Sequence, residues 1–190
     1  MRLYYSHSSK VAADGEGKFT DRYLKLTPTT VSQQVSMRFP HLSSYAAFKL
    51  PDNAKTDELL QGETVAIAAA EDGILISATQ VQTAGVLDDT YAEAAEALSY
   101  GAQLADGGVT FRVWAPTAQQ VDVVVYSADK KVIGSHPMTR DSASGAWSWQ
   151  GGSDLKGAFY RYAMTVYHPQ SRKVEQYEVT DPYAHSLSTN

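Results

Sequence analysis

Gly108-Val-Thr-Phe-Arg-Val-Trp-Ala-Pro-Thr-Ala118, followed closely by Val121-Asp-Val-Val-Val-Tyr126, is the stretch whose reading decides the fold. Val109, Phe111 and Val113 alternate with other residues, and Val121, Val123 and Val125 repeat the alternation after the Ala115-Pro116-Thr117 break. Successive side chains of a strand point to opposite faces, so period-two hydrophobicity marks strands with one buried face. Trp147 and Trp149 share a face in the same way, as do Tyr160, Tyr162, Met164 and Val166, and 173–180 supplies a further strand. Short strands at this spacing, with no long helix between them, imply an antiparallel β-sandwich.

Upstream the chain is again mostly β. Strands are expected at 2–6, 23–26, 31–39, 46–50, 64–70 and 74–81, separated by Gly, Pro, Asn or Asp. Glu71-Asp72-Gly73 reads as a hairpin turn, 53–60 as a short helical turn and 6–18 as a polar loop. The one convincing helix is the Ala/Glu-rich 89–98, with Gly101 placed as its stop. A change of charge coincides with it: residues 1–100 carry 8 basic and 13 acidic residues, whereas 101–190 carry 8 of each. The expected fold is therefore all-β: two tandem antiparallel, immunoglobulin-like β-sandwich domains, 1–98 and 99–190, joined by a short helical linker.

Composition excludes several classes. The absence of cysteine removes disulfide scaffolds, thiol nucleophiles and zinc-finger cages. A net charge of −5 with scattered Lys and Arg gives no nucleic-acid footprint. No apolar run approaches a membrane span; the longest, 64–70, is strand-sized. The opening Met1-Arg2-Leu3-Tyr4-Tyr5 has no apolar signal core, and the natural protein is expected to begin elsewhere. There is no nucleophile elbow or phosphate-binding glycine loop, and the five histidines lack metal-ligand spacing. Asp14-Gly-Glu16 is too short for a calcium loop, so neither a cofactor nor a catalytic residue is expected in this stretch. The aromatics carry the remaining chemistry, because sugars dock their apolar ring faces on flat, preordered aromatic platforms. Trp114, Trp147, Trp149, Tyr160, Tyr162 and Tyr167 are the candidates, against the plainer reading that alternating aromatics are core.

The second half resembles a family-48 carbohydrate-binding module. The resemblance rests on Phe111-Arg-Val-Trp-Ala-Pro116, Gly145-Ala-Trp147, Gly157-Ala-Phe-Tyr-Arg-Tyr162 and Asp181-Pro-Tyr-Ala184. Leu3-Tyr-Tyr-Ser6, Phe39-Pro-His-Leu42, Ala47-Phe-Lys-Leu-Pro51 and Gly85-Val-Leu-Asp-Asp-Thr-Tyr91 are similar to the domain that precedes this module in bacterial pullulanases, family-13 glycoside hydrolases. The resemblance implies a secreted or surface-attached parent enzyme that cuts α-1,6 bonds of pullulan, starch and glycogen. Its catalytic carboxylates would lie on a downstream (β/α)₈ barrel, and calcium would be possible there. This stretch would then be non-catalytic, with the barrel of the same polypeptide as partner and at most weak α-glucan contact.

Glycogen-binding members of that family carry a Trp loop after the second strand, where this chain reads Tyr126-Ser-Ala-Asp-Lys-Lys-Val132. Trp147, Trp149, Tyr177 and Lys173 are left as the carbohydrate-binding candidates. Two other readings stand beside the accessory role: an active starch-binding module, and an adhesion or secretion-recognition module. The polar tail after Val179 carries Tyr183 and Leu187, which are expected to pack against a neighbour or to lie in a poorly ordered end.

Overall fold

The computed structural model describes residues 1–8, 10–69, 75–105 and 107–188. The first half runs β1 (Arg2–Ser6), β2 (Arg22–Lys25), β3 (Thr27–Thr29), α1 (Gln33–Arg38), a 3₁₀ turn at Pro40–Leu42, β4 (Ala47–Lys49), α2 (Thr56–Leu60), β5 (Glu63–Ala69), β6 (Leu75–Gln80) and α3 (Ala84–Glu96). The second runs β7 (Gly101–Ala105), β8 (Gly108–Trp114), β9 (Ala118–Tyr126), β10 (Val132–Pro137), β11 (Thr139–Arg140), β12 (Ala146–Gly151), a 3₁₀ turn at Ser153–Leu155, β13 (Phe159–His168) and β14 (Lys173–Val179).

The all-β antiparallel class holds. In the second half, two four-stranded sheets with orders β11-β12-β8-β7 and β10-β9-β13-β14 face each other. Their inner faces are the alternating residues of the sequence pattern: Val109, Phe111 and Val113 meet Val121, Val123, Val125 and Tyr162, with Trp147 and Met138 filling the same core. Met138 is also where the chain changes sheet, since β10 pairs with β9 and β11 with β12. Gly108, at φ 147°, opens β8 so close to Gly151 that a Cβ would lie 2.1 Å from that carbonyl oxygen, so only glycine serves there.

The first half differs from the expected sandwich. Its described residues form one four-stranded sheet, β2-β1-β5-β6, and a separate two-stranded ribbon, β3-β4. A loop takes the place of a second full sheet: Val11 and Phe19 fold over Tyr4, Val65 and Ile67. The strand expected at 31–39 is instead helix α1. Val31, Val35 and Phe39 are alternate residues, but they are also four apart, and the Ser32 hydroxyl accepts from the Val35 N–H at 3.2 Å as an N-cap. Pro40 then ends the helix. The turn expected at Glu71-Asp72-Gly73 lies outside the described residues, while β5 and β6 on either side of it pair antiparallel. The linker helix begins earlier than 89, and Gly101 is not its stop. Gly101, at φ 84°, starts β7, where a Cβ would lie 2.9 Å from the Tyr183 carbonyl oxygen.

Candidate functional site

The four carbohydrate-binding candidates fall on two sheets. Trp147 is buried in the sandwich core, and its indole N–H donates to the Ala115 carbonyl at 3.0 Å. Trp149 lies with its ring stacked on His136, centroids 4.2 Å apart and planes 10° apart, and on Phe111 at 6.0 Å and 23°. Those contacts take up the aromatic surface a sugar would use. Trp114 is likewise pinned, its N–H donating to the Ser144 carbonyl at 2.9 Å. Of the tyrosine candidates, Tyr162 belongs to the core and Tyr160 packs against it.

Tyr177 and Lys173 lie elsewhere, on edge strand β14, and the β13–β14 register sets Lys173 beside His168. Tyr177 is 40% exposed and its ring lies 6.1 Å from that of His168. Its phenol donates to the Glu175 carboxylate, a bond that raises the phenol and lowers the carboxyl from their ordinary values. Lys173, Glu175 and Tyr177 are two residues apart along the strand and so share a face. Of the four candidates, only Tyr177 and Lys173 lie on an exposed strand face, four residues apart along it.

The concentrated polar geometry is between the two halves. Glu63, at the start of β5, is almost wholly buried and receives the Val11 N–H, the Gln80 amide at 2.8 Å and the Arg172 Nε–H at 2.6 Å. Burial alone would push its carboxyl up; the donations from Arg172, Gln80 and Val11 outweigh it and hold the group below its ordinary value. Arg172 Nη2 also donates to the Val11 carbonyl at 2.6 Å, so one guanidinium from the β13–β14 turn grips two groups of the first half. Arg172 sits at φ 56°, a left-handed conformation unfavourable for a residue with a Cβ. The Tyr167 hydroxyl is buried beside Glu63 without a well-formed hydrogen bond, and burial, then that carboxylate, push its phenol up to about 12.

Two more contacts complete the seam. Gln119 Nε2 donates to the carbonyls of His7 and Gln61, both at 2.8 Å, while Gln61 Nε2 donates back to the Ala118 carbonyl at 3.1 Å. Arg140 of β11 donates to the Tyr91 hydroxyl of α3 at 3.0 Å and pairs with Asp57 of α2 at 3.7 Å. Tyr91 is itself buried, so the linker helix is packed down rather than free. At the far end Asp181 is buried and accepts from the hydroxyls of Tyr160 at 2.6 Å and Tyr162 at 3.3 Å and from the Tyr183 N–H at 2.8 Å. Tyr183 stacks on Tyr100 of the same chain at 4.8 Å and remains partly exposed, and Leu187 is exposed.

Sequence reasoning missed Glu63, Arg172, Gln61, Gln119 and Arg140. Glu63 carries a trace of its role in the sequence, as a lone carboxylate at the head of an apolar run. Arg172 carries none. Among the described residues no helix is long and apolar enough to cross a membrane, and no group of three or more His, Asp or Glu is arranged to hold a metal ion.

A β-sandwich fastened to a smaller β unit is the architecture the fold defines, and two family models match its two parts. Residues 99–184 match carbohydrate-binding module 48, the isoamylase N-terminal domain, and residues 1–89 match the pullulanase N2 domain. The chain thus carries a pullulanase N2 domain followed by a carbohydrate-binding module 48. It is 98% identical over all 190 residues to a pullulanase of Klebsiella pneumoniae, of which it spans 17%. It is 35% identical over 159 residues to the chloroplastic pullulanase 1 of Arabidopsis thaliana, covering 80% of this chain and 16% of that one. The crystal structure of PulA from Klebsiella oxytoca superposes with a TM-score of 0.94 at 98% identity, over 99% of this chain and 18% of that one. A maltotriose complex of PulA from Klebsiella pneumoniae gives 0.94 at 88% identity, over 99% of this chain and 20% of that one. The chain thus spans about one-sixth of the relatives it matches.

Proposed function

We propose that this pair is a non-catalytic accessory unit that supports and positions the catalytic barrel of a pullulanase, an α-1,6-glucan debranching enzyme acting on pullulan, starch and glycogen, with at most weak α-glucan contact of its own. The observation that carries the reading is the fate of the aromatics: Trp147 is core and Trp149 lies against His136 and Phe111, so neither ring presents a free platform. The three-point seam between the halves favours a rigid spacer divided near 98/99 over two independent binding modules. The maltotriose complex of an 88% identical relative supports an α-glucan as the parent's ligand. Secretion, or attachment to the bacterial surface, belongs to the same reading, and any calcium is assigned to the parent's other domains.

Affinity electrophoresis of the 190-residue chain in amylopectin and pullulan gels tests it. Mobility equal to that of a non-binding control supports the spacer role. Clear retardation, abolished by Tyr177→Ala in a folded variant, establishes the second reading instead, an active starch-binding module. The exposed Tyr177, with Lys173 further along the same face of β14, is the observation that favours that alternative.

A further inference from the structure

Among the described residues the β3-β4 ribbon does not join the four-stranded sheet of its half and pairs only with itself, Thr27 opposite Lys49 and Thr29 opposite Ala47. It is the stem of an arm whose outer part is α1 and the 3₁₀ turn. No residue of β3, α1 or that turn is buried. Yet the arm carries Met37 at 75% and Tyr45 at 68% exposure, with Val35 and Phe39 also exposed. Its contacts to the body are sparse, the ion pair from Arg38 to Asp89 at 3.6 Å being one, and Arg38 also lies over the Phe39 ring.

An apolar tip on a polar stem, set out from its own core, is the form of a docking element. Two observations say what covers it. The 30 residues between Asp21 and Asp52 contain no carboxylate and four cations, in a chain whose net charge is −5; Arg22 and Lys25 lie on β2 next to the arm, while Arg38 and Lys49 lie on the arm and hold solvent-exposed pairs with Asp89 and Asp52. A surface that takes this arm is therefore apolar with a carboxylate rim. The 98% identical relative is about six times longer than this chain, so most of its polypeptide lies outside the described fold.

We infer that residues 27–49 are a docking arm that inserts Met37 and Tyr45 into a carboxylate-rimmed apolar surface on another part of the same pullulanase polypeptide. The inference rests on the accessory reading and adds the contact point, which is separate from the sandwich. The test uses the full-length enzyme with the photoreactive benzoylphenylalanine in place of Met37 or, separately, of Tyr45. Irradiation is expected to join the arm, within one chain, to peptides outside these 190 residues that contain Asp or Glu. In the same enzyme the pair Met37→Glu and Tyr45→Glu is expected to speed amide exchange in 31–46 by about tenfold or more, with no change in the isolated 190-residue chain. Because neither side chain is buried here, both variants retain the fold, as circular dichroism would verify. Cross-links to a second copy, to residues within 1–190 or to no peptide, or exchange unchanged in the full enzyme, overturn the arm. The spacer role fails on a different result, a barrel that keeps its stability when 99–190 are deleted.

Discussion

Replacing Arg172 by alanine is expected to uncouple the two halves. The change removes both guanidinium bonds and leaves Glu63, almost inaccessible to water, with the Val11 and Gln80 donors alone. Breaking a buried ion pair from one side costs about 3–5 kcal/mol. The Arg172 side chain is about one-third exposed, and solvent screening on that side brings the expected loss down to about 2 kcal/mol. The backbone orders the series further. Alanine keeps the left-handed strain at φ 56°, glycine relieves roughly 1 kcal/mol of it, and lysine keeps the charge but lacks the fork that reaches both Glu63 and Val11. The stability order is therefore Arg, Lys, Gly, Ala. All three tryptophans lie in the second half, so their fluorescence follows that half while far-ultraviolet circular dichroism follows both. With a shift of about 4–8 °C per kcal/mol for a unit of about 100 residues, Arg172→Ala lowers the first half's Tm by about 8–16 °C and leaves the fluorescence transition in place. Acid supplies the sign check. The Glu63 carboxyl is held below its ordinary value, so its contribution is present above pH 4.5 and is lost as pH falls further, and the gap between wild type and Arg172→Ala closes there. A single Arg172→Ala transition at the wild-type midpoint, or alanine no worse than glycine, refutes the reasoning.

Three further outcomes follow from the same structure. Burial and the Asp181 carboxylate push the Tyr160 and Tyr162 phenols up, and burial with Glu63 takes Tyr167 to about 12, so their contribution is present below pH 10 and is lost as pH rises through 10 towards 12; an alkaline titration should show their tyrosinate absorbance appearing together with loss of fold, not before it. Asp181→Ala leaves two phenols without an acceptor, at about 1–3 kcal/mol each, and should make 182–188 cleavable by protease; Asp181→Asn, which keeps an acceptor oxygen, should recover most of the loss in urea denaturation. Residues 99–190 alone should fold with the fluorescence midpoint of the whole chain, whereas 1–98 alone should show no near-ultraviolet tertiary signal; a folded 1–98 would contradict the dependence of the first half on Arg172 and Arg140.

The parts legible in the sequence are those where burial repeats with a fixed period. Val109 to Val125 gave a sandwich because each inward residue meets another inward residue, and a period of two has one structural meaning over nine residues. Residues 31–39 were ambiguous in kind: Val31, Val35, Met37 and Phe39 fall on one face of a strand, while Val31, Val35 and Phe39 are also spaced by four as on a helix, and one serine hydroxyl decided for helix. The seam was not legible, since a lone glutamate and an arginine 109 positions apart share no local pattern. The tryptophans show the converse limit. Their number and spacing suggested a sugar platform, but whether a ring is free depends on neighbours such as His136, which no local motif announces.

The two cores are unequal, and that inequality explains why the seam is polar. Among the described residues the second half buries ten in one cluster and the first four, with Phe19 packed partly over them. A wide apolar interface would add stability but would tolerate sliding, because contact between apolar faces has no preferred direction. A buried carboxylate with three donors behaves differently: displacing any one donor leaves a desolvated charge, so the complete arrangement is favoured over every partial one. The reciprocal amides of Gln61 and Gln119 impose the same all-or-none condition a few residues away. Such contacts contribute modest net stability but a single orientation. Under the proposed spacer role, orientation is the property to be transmitted, and strain at Arg172 is tolerated because no glycine could supply the guanidinium that fixes it.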